Sequence, residues 1–141
     1  MKLLLDTNVL SELLRPLPAP AVLTWFAGQS APDLMVSAVT QAEMLLGVAL
    51  LPKGRRQQNL QAAVTAMFNE DFAGRVWPFD GAAAWVYPGL VARRRAAGRP
   101  MAQFDAQIAA IALHRGAAFV TRNGSDFEGC GITVHNPWDV A

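Results

Sequence analysis

Short apolar runs that alternate with longer helical segments are the feature of this sequence that most limits its fold. The apolar runs predict β-strands over residues 2–5, 34–38, 75–79, 117–121 and 132–135. Helical spacing is found between them, over residues 9–14, 20–28, 40–51, 54–72, 81–97 and 103–115. Because strands that alternate with helices build βαβ units, the sequence predicts an α/β fold with a central, mostly parallel sheet covered on both faces.

The length of 141 residues matches one domain, and no internal repeat or linker divides the chain. We therefore predict a single domain over residues 1–141. Pro88 lies inside the helical segment 81–97. Because proline lacks an amide donor, we expect a kink or a split in that helix.

The composition is apolar, with 52% hydrophobic and 16% charged residues, against about 25% charged residues in ordinary soluble domains. One interpretation is a compact, alanine-rich helical core, and another is an apolar surface that a second copy or a partner covers. The net charge of +1 neither indicates nor excludes nucleic-acid binding. Cys130 has no partner for an internal disulfide, and no run of eighteen apolar residues occurs, which together predict a cytoplasmic protein with no membrane anchor.

Acidic and amide side chains follow several of the predicted strands. Asp6 ends the first strand, Glu43 comes shortly after the second, Asp105 opens the helix 103–115, and Asn123 and Asp126 follow the fourth strand. In a parallel sheet, ligands bind at the edge where the strands reach their carboxyl ends. If the first strand is central, we expect these side chains to converge on one crevice.

Each acid also has an ordinary structural interpretation. Asp6 has the position of a helix N-cap, and Thr40 with Glu43 has the spacing of a capping box. Asp105 lies in a first helical turn, where the dipole favours negative charge, and Asp126 has the position of a cap for a short turn. Sequence spacing alone leaves both interpretations open for each residue.

The position of Asp105 favours a functional cluster. Asp105 shares a helix face with Ile108, Ala109 and Ala112, so its carboxylate points toward the sheet. Two carboxylates about 4 Å apart repel by roughly 4 kcal/mol at an effective dielectric constant of about 20. No lysine or arginine is adjacent to these acids in the sequence. A hard divalent cation, Mg²⁺ or Mn²⁺, is therefore the natural counter-charge.

Four segments in this order resemble the PIN-domain family, and specifically the VapC-type toxins of bacterial toxin–antitoxin modules in the FitB-like branch. They are "LLLDTNVLSELLRP", "VSAVTQAEMLLGVALL", "FDAQIAAIALHRG" and "FVTRNGSDFEGCGITVHNPWDV", and the likeness extends from Met1 to Trp138. The resemblance implies a PIN-like α/β/α sandwich and a metal-dependent endoribonuclease. It also implies a homodimer that a small cognate antitoxin protein holds inactive.

Carried over residue by residue, the resemblance assigns roles to specific side chains. Asp6, Glu43 and Asp105 match the three core acids, with Asp6 and Asp105 as the metal ligands. The fourth acidic position is open between Asp126, which we favour, and Asn123, and the binding of one or two metals is open with it. The predicted supporting or RNA-binding residues are Thr7, Asn8, Thr121, Arg122 and Asn123. Mg²⁺ or Mn²⁺ at this site would activate a water for attack on phosphorus.

Two basic clusters have open interpretations. Lys53, Arg55 and Arg56 form one, and Arg93 to Arg95 with Arg99 form the other. Each is either a solvated face, with cations favoured at a helix C-terminus, or a set of phosphate contacts. The four tryptophans are expected in the core or at an interface.

Two rival functions remain at this point. One is a phosphatase of the haloacid dehalogenase type, which needs a second acid where this chain has Asn8. The other is a PIN-like binding or regulatory module whose metal site is weakened at Asn123.

Overall fold

A parallel five-stranded sheet forms the centre of residues 1–139, the part of the chain that this computed structural model describes. The strands are β1 (Leu3–Leu5), β2 (Leu34–Ser37), β3 (Val76–Trp77), β4 (Ala118–Val120) and β5 (Val134–His135). Their order is β3-β2-β1-β4-β5, and all four neighbouring pairs run parallel. The predicted α/β fold is therefore confirmed, and the first strand lies at the centre of the sheet.

Six α-helices cover the sheet in this part of the chain: α1 (Thr7–Leu13), α2 (Pro20–Ala27), α3 (Ala38–Ala49), α4 (Arg55–Ala66), α5 (Gly81–Ala96) and α6 (Gln103–Arg115). Short 3₁₀ turns are formed by Ala31–Asp33 and Gly124–Phe127, and a π-helical turn by Met67–Asp71. The predicted helix over residues 54–72 is therefore α-helical only to Ala66. It continues as the π-helical turn to Asp71.

The two faces of the sheet pack against separate apolar cores. Leu3 and Leu5 of β1 point into one core, together with residues of α1, α3 and α4. Leu4 points into the other, together with Phe119 of β4 and residues of α5 and α6. A strand buried on both faces reads as a continuous apolar run, which is the reason that three leucines precede Asp6.

Pro88 does not split its helix. The helix α5 is continuous from Gly81 to Ala96, so of the kink or split that we predicted, the split is wrong. Pro88 lies on the exposed side of α5, and Ala84, whose carbonyl loses the amide donor, is exposed as well. Water can therefore replace the missing hydrogen bond at this position.

The register of the central strands sets the first acid beside the fourth strand. Leu5 pairs with Val120, and the Asp6 amide donates to the Val120 carbonyl at 2.9 Å. The residues that follow β1 and β4 are therefore neighbours at the carboxyl edge of the sheet. No helix in residues 1–139 has the length and apolar character needed to cross a membrane.

Candidate active site

Asp6 is buried where β1 passes into α1, with 8% of its surface exposed. It is the N-cap of α1, and its Oδ1 accepts from the Thr7 amide at 2.8 Å. The other oxygen, Oδ2, accepts from the Thr121 hydroxyl at 2.7 Å and from Asn8 Nδ2 at 3.4 Å. The capping interpretation of Asp6 is therefore correct, and the same carboxylate also faces the end of β4.

The Thr121 hydroxyl is the centre of this hydrogen-bond network. While it donates to Asp6, it accepts from Asn8 Nδ2 at 3.2 Å and from the Asn123 amide at 3.1 Å. Thr121 is fully buried, directly after β4. Asn8 also accepts from the Arg122 amide at 3.3 Å, so the start of α1 and the segment after β4 hold each other in place.

Glu43 does not fold back on its own helix, so the capping-box interpretation is wrong. The N-cap of α3 is Ser37, whose hydroxyl accepts from the Thr40 amide at 2.9 Å. This leaves Glu43 free to lie beside Thr7, whose hydroxyl donates to Glu43 Oε1 at 3.5 Å and lies 3.2 Å from the buried hydroxyl of Thr40. Thr7 thus steadies Asp6 through its backbone and contacts Glu43 through its side chain.

Asp105 and Asp126 reach the same edge from other elements. Asp105 is half-buried in the first turn of α6, and Ile108, Ala109 and Ala112 of that helix are buried against the sheet. Asp126 is exposed within the 3₁₀ turn Gly124–Phe127. Its predicted role as the cap of that turn is wrong, because the N-cap residue is Asn123, which makes no side-chain capping bond.

The carboxylates influence one another's ionisation. Burial raises the pKa of Asp6, the Thr121 and Thr7 hydrogen bonds lower it, and the charge of Asp126 raises it. Burial also raises the pKa of Glu43, and the charges of Asp6 and Asp105 add to that effect. Burial, then Asp6, then Asp126 raise the pKa of Asp105. The four acids that the sequence singled out therefore share one electrostatic environment.

The cluster has no counter-cation in the described part of the chain. Within residues 1–139 no lysine, arginine or histidine lowers the pKa of Asp6, Glu43 or Asp105. No three carboxylates, imidazoles or thiols of these residues lie close enough together to hold one ion. An ion at this site would therefore take few ligands from the protein and the rest from water or substrate, which is how proteins usually bind Mg²⁺.

The basic residues that the sequence singled out differ in exposure and in their neighbours. Arg122 is exposed beside the site, and its guanidinium lies 4.9 Å from the centre of the Trp138 ring. Lys53, Arg55 and Arg56 are exposed near the start of α4, where the helix dipole disfavours positive charge. The explanation of favourable C-terminal cations therefore does not apply to this cluster. Arg94 is buried, so its cluster is not one solvated face.

The structure gives two hydroxyl residues, Ser37 and Thr40, roles that the sequence did not predict. Thr40 and Ser37 are fully buried and set the position of Glu43. Their signal was present, because Ser37 ends β2 three residues before Thr40, but spacing alone does not say which hydroxyl caps the helix. Among the tryptophans, Trp25, Trp77 and Trp138 pack against the cores, whereas Trp85 is 89% exposed.

Several known proteins are similar to this chain in sequence and in fold. The PIN-domain sequence profile matches residues 3–129. VapC ribonuclease Y4jK of Sinorhizobium fredii is 39% identical over 139 residues, 99% of each chain. Toxin FitB of Neisseria gonorrhoeae is 38% identical over 136 residues, 96% of this chain and 98% of FitB. The crystal structure of FitAcB from Neisseria gonorrhoeae superposes with a TM-score of 0.91 and 37% identity, covering 98% of this chain and 99% of that one. This chain therefore belongs to the PIN-domain family, in the group of VapC and FitB toxins of toxin–antitoxin systems.

Proposed function

We propose that this toxin is a metal-dependent endoribonuclease that acts in the bacterial cytoplasm. One observation carries the proposal: the pKa values of Asp6, Glu43 and Asp105 are each raised by burial and by the charge of an acid on another element, and no cation of residues 1–139 offsets this. Such a cluster destabilises the fold unless it binds something positive. Relatives in the same family are named as a ribonuclease and a tRNA-specific endonuclease, so RNA cleavage is the reaction that we propose for this cluster.

Asp6 and Asp105 are the residues that would hold the ion. Both are carboxylates with restricted exposure, and hard oxygen ligands suit Mg²⁺ or Mn²⁺. When bound, such an ion lowers the pKa of a water and offsets the charge that develops on the phosphate. The Thr7, Asn8 and Thr121 donors hold the Asp6 carboxylate in one orientation, which limits the reorganisation needed on binding.

Glu43 and Asp126 are the proposed proton-handling residues. Glu43 has a pKa raised by burial and by its acidic neighbours, so it accepts a proton from the attacking water more readily than a free glutamate does. Asp126, whose charge acts on both Asp6 and Asp105, is the residue that would help to orient that water. Attack by water on phosphorus with the 3′-oxygen as leaving group gives a 5′-phosphate and a 3′-hydroxyl, and it needs no 2′-hydroxyl of the RNA as nucleophile.

Arg122 is the proposed phosphate contact. Its guanidinium is exposed next to the acids and is limited in orientation by the Trp138 ring. The Arg122 backbone is fixed by its amide bond to Asn8 Oδ1. Such a contact positions RNA without reading its sequence, and it makes binding fall as the salt concentration rises.

A groove beside the acids is the proposed binding surface for the antitoxin. It has a volume of about 890 Å³ and continues from Thr7 and Glu43 between α1, α3 and α4. Its apolar lining includes Met44, Val48, Leu60 and Val64, and its rim includes Arg15, Arg55 and Arg56. An amphipathic segment with acidic residues fits this combination, and a partner bound there would also cover the acids.

A homodimer is the proposed assembly. Trp85 is exposed on α5, and Pro88 and Gly89 of the same helix are exposed close to it in sequence. These residues would form an apolar surface that a second copy can cover. Light scattering should give twice the monomer mass. Trp85→Ala should lower the mass toward the monomer, and an unchanged mass would place the interface elsewhere.

The test of the nuclease proposal is RNA cleavage by purified protein in Mg²⁺ or Mn²⁺, with a chelator and with Asp105→Asn. Asp71→Asn is the matched control, because Asp71 is exposed in the π-helical turn that precedes β3, away from the carboxyl edge of the sheet. We expect cleavage by the wild type and by Asp71→Asn, and none with chelator or Asp105→Asn. Cleavage that survives Asp105→Asn would show that the site is wrongly assigned.

The second candidate is a non-catalytic PIN-like binding module, favoured by the amide at Asn123. It predicts metal binding by calorimetry, abolished in Asp105→Asn, without cleavage of any RNA tested. A phosphatase assay on the same purified protein distinguishes the phosphatase alternative, since a phosphatase would release phosphate from a monoester substrate and leave RNA intact.

A further inference from the structure

The C-terminal end of α5 contains a buried arginine whose role is not explained by phosphate binding. Arg94 is 5% exposed, and its Nη1 donates to the Glu128 carbonyl at 2.5 Å. Its Nε is buried without a hydrogen-bond partner among residues 1–139. Burial of a guanidinium costs free energy, so we expect the contact between Arg94 and Glu128 to stabilise the position of the Glu128 backbone.

Arg99 reaches the same segment from beyond the helix. Gly98 adopts a left-handed conformation with φ of 71°, and the Arg99 amide returns to the Arg94 carbonyl at 2.8 Å. The reversed chain brings the Arg99 guanidinium to two acceptors: Nη1 donates to Glu128 Oε2 at 2.5 Å, and Nη2 donates to the Ser125 carbonyl at 2.8 Å. A planar guanidinium can make both bonds at once, whereas an ammonium group lacks this fork.

The two arginines hold the segment that carries the fourth acid. Asp126 lies between Ser125 and Glu128, the residues that the arginines bind. Phe127 is buried with its ring centre 4.5 Å from that of Phe119, which anchors the segment to β4. Asp126 itself is exposed, so its position depends on the backbone that these contacts fix.

A restraint is needed here because the neighbouring charges repel. Besides burial, the charge of Asp126 raises the pKa of Asp6 and of Asp105, so these carboxylates repel Asp126 when they are ionised. The 3₁₀ turn itself is short and exposed, with two of its residues, Ser125 and Asp126, on the surface. Without a hold on Ser125 and Glu128, the repulsion would move Asp126 away from the site.

We propose that Arg94 and Arg99 are positioning residues that hold Asp126 at the acidic cluster and do not contact RNA. The inference rests on the proposed nuclease function for its catalytic consequence, but its structural part is independent of that function. For Arg94 and Arg99 it replaces the two interpretations that the sequence left open, a solvated face and a set of phosphate contacts.

Arg99→Met is the variant that tests this proposal, because it removes the fork at a partly exposed site and keeps most of the side-chain length. Arg95→Met is the matched control, because it removes the same charge from an exposed residue that directly follows Arg94. We expect Arg99→Met to lower kcat about tenfold or more with little change in KM, as misplacement of a catalytic group does. Arg95→Met should leave kcat unchanged. Arg94→Met should resemble Arg99→Met if it folds.

Two further readouts separate positioning from a general structural role. In a double-mutant cycle on Mn²⁺ affinity, Arg99→Met should weaken binding in the wild-type background and have no effect in the Asp126→Asn background. Amide hydrogen exchange over residues 124–128 should accelerate in Arg99→Met and not in Arg95→Met.

Raised KM at unchanged kcat, the same loss in both backgrounds, or unchanged hydrogen exchange would overturn the proposal. If the wild type cleaves no RNA, the nuclease function fails, while the exchange and Mn²⁺ measurements still decide whether these arginines hold Asp126.

Discussion

Replacing Thr121 with valine should destabilise the protein mainly through Asp6. Valine keeps the shape of the side chain and removes a hydroxyl that donates to Asp6 Oδ2 at 2.7 Å and accepts from Asn8 Nδ2 and the Asn123 amide. Loss of a buried hydrogen bond to a charged group costs about 1.5–3 kcal/mol. We therefore expect the free energy of unfolding at pH 7 to fall by about 2–3 kcal/mol.

The expected change in Tm follows from the size of the chain. At about 2.1 cal/mol/K of unfolding entropy per residue, the 141 residues give about 0.3 kcal/mol/K. The loss therefore corresponds to a fall of roughly 7–10 °C in Tm. Thermal denaturation in chelator, followed by circular dichroism, measures it without interference from bound metal.

The pH dependence distinguishes this explanation from simple repacking. The Thr121 bond lowers the pKa of Asp6, so its loss raises that pKa further. The bond favours the ionised carboxylate, and its contribution is present above the pKa and is lost as pH falls. The stability deficit of Thr121→Val should therefore be largest at neutral pH and shrink toward pH 4.

Thr121→Ser provides the control, because serine keeps the hydroxyl and loses one methyl group. We expect a smaller deficit that does not change between pH 4 and pH 8. A deficit of Thr121→Val that is the same at all pH values, or a serine variant with the same pH dependence as valine, would refute the proposed role of the hydroxyl.

Three other changes test separate parts of the structure. Asp105→Asn should raise Tm at neutral pH in chelator. The pKa of Asp105 is raised, so the wild type loses stability as pH rises through that pKa. Thermal melts from pH 4 to pH 8 measure this, and a Tm lower than that of the wild type would contradict it. Ser37→Ala should cost about 1 kcal/mol by loss of the α3 cap, measured by urea denaturation, with Ser37→Thr expected to lose less. Pro88→Ala should stabilise the protein by about 1–3 kcal/mol through the restored amide donor in α5, and a destabilised variant would show that Pro88 makes a contact of its own.

The fold was predictable because its signal is distributed over many residues. Burial of β1 on both faces requires a continuous apolar run, and the alternation of such runs with helices leaves few topologies other than a parallel sheet. The helix starts were less predictable. The first helix begins at Thr7 and not at Val9, because the N-cap Asp6 comes before any apolar periodicity is visible.

The convergence of the acids on one edge of the sheet was predictable, but their hydrogen bonds were not. The carboxyl-edge rule places Asp6, Glu43, Asp105 and Asp126 together, and the pKa shifts agree with that placement. The capping-box spacing misassigned Glu43, since it does not reveal that Ser37 already caps α3. The burial of Arg94 was also outside the reach of sequence, because Arg93, Arg94 and Arg95 are equivalent in composition and differ only in the side of α5 they occupy.

The capping and functional interpretations of Asp6 turn out to be compatible, and this explains how a buried acid is kept in one place. Its Oδ1 accepts from the Thr7 amide as an N-cap does, which fixes the carboxylate against the start of α1. Its Oδ2 accepts from Thr121, directly after β4, and from Asn8 in the first turn of α1. The local bonds favour ionisation, whereas burial and Asp126 oppose it, and the net effect is a raised pKa. A site with these opposing effects binds protons more strongly than isolated carboxylates do, so a divalent ion must compete with protons. As pH falls, metal affinity should therefore begin to decrease at a higher pH than it does for an exposed pair of acids.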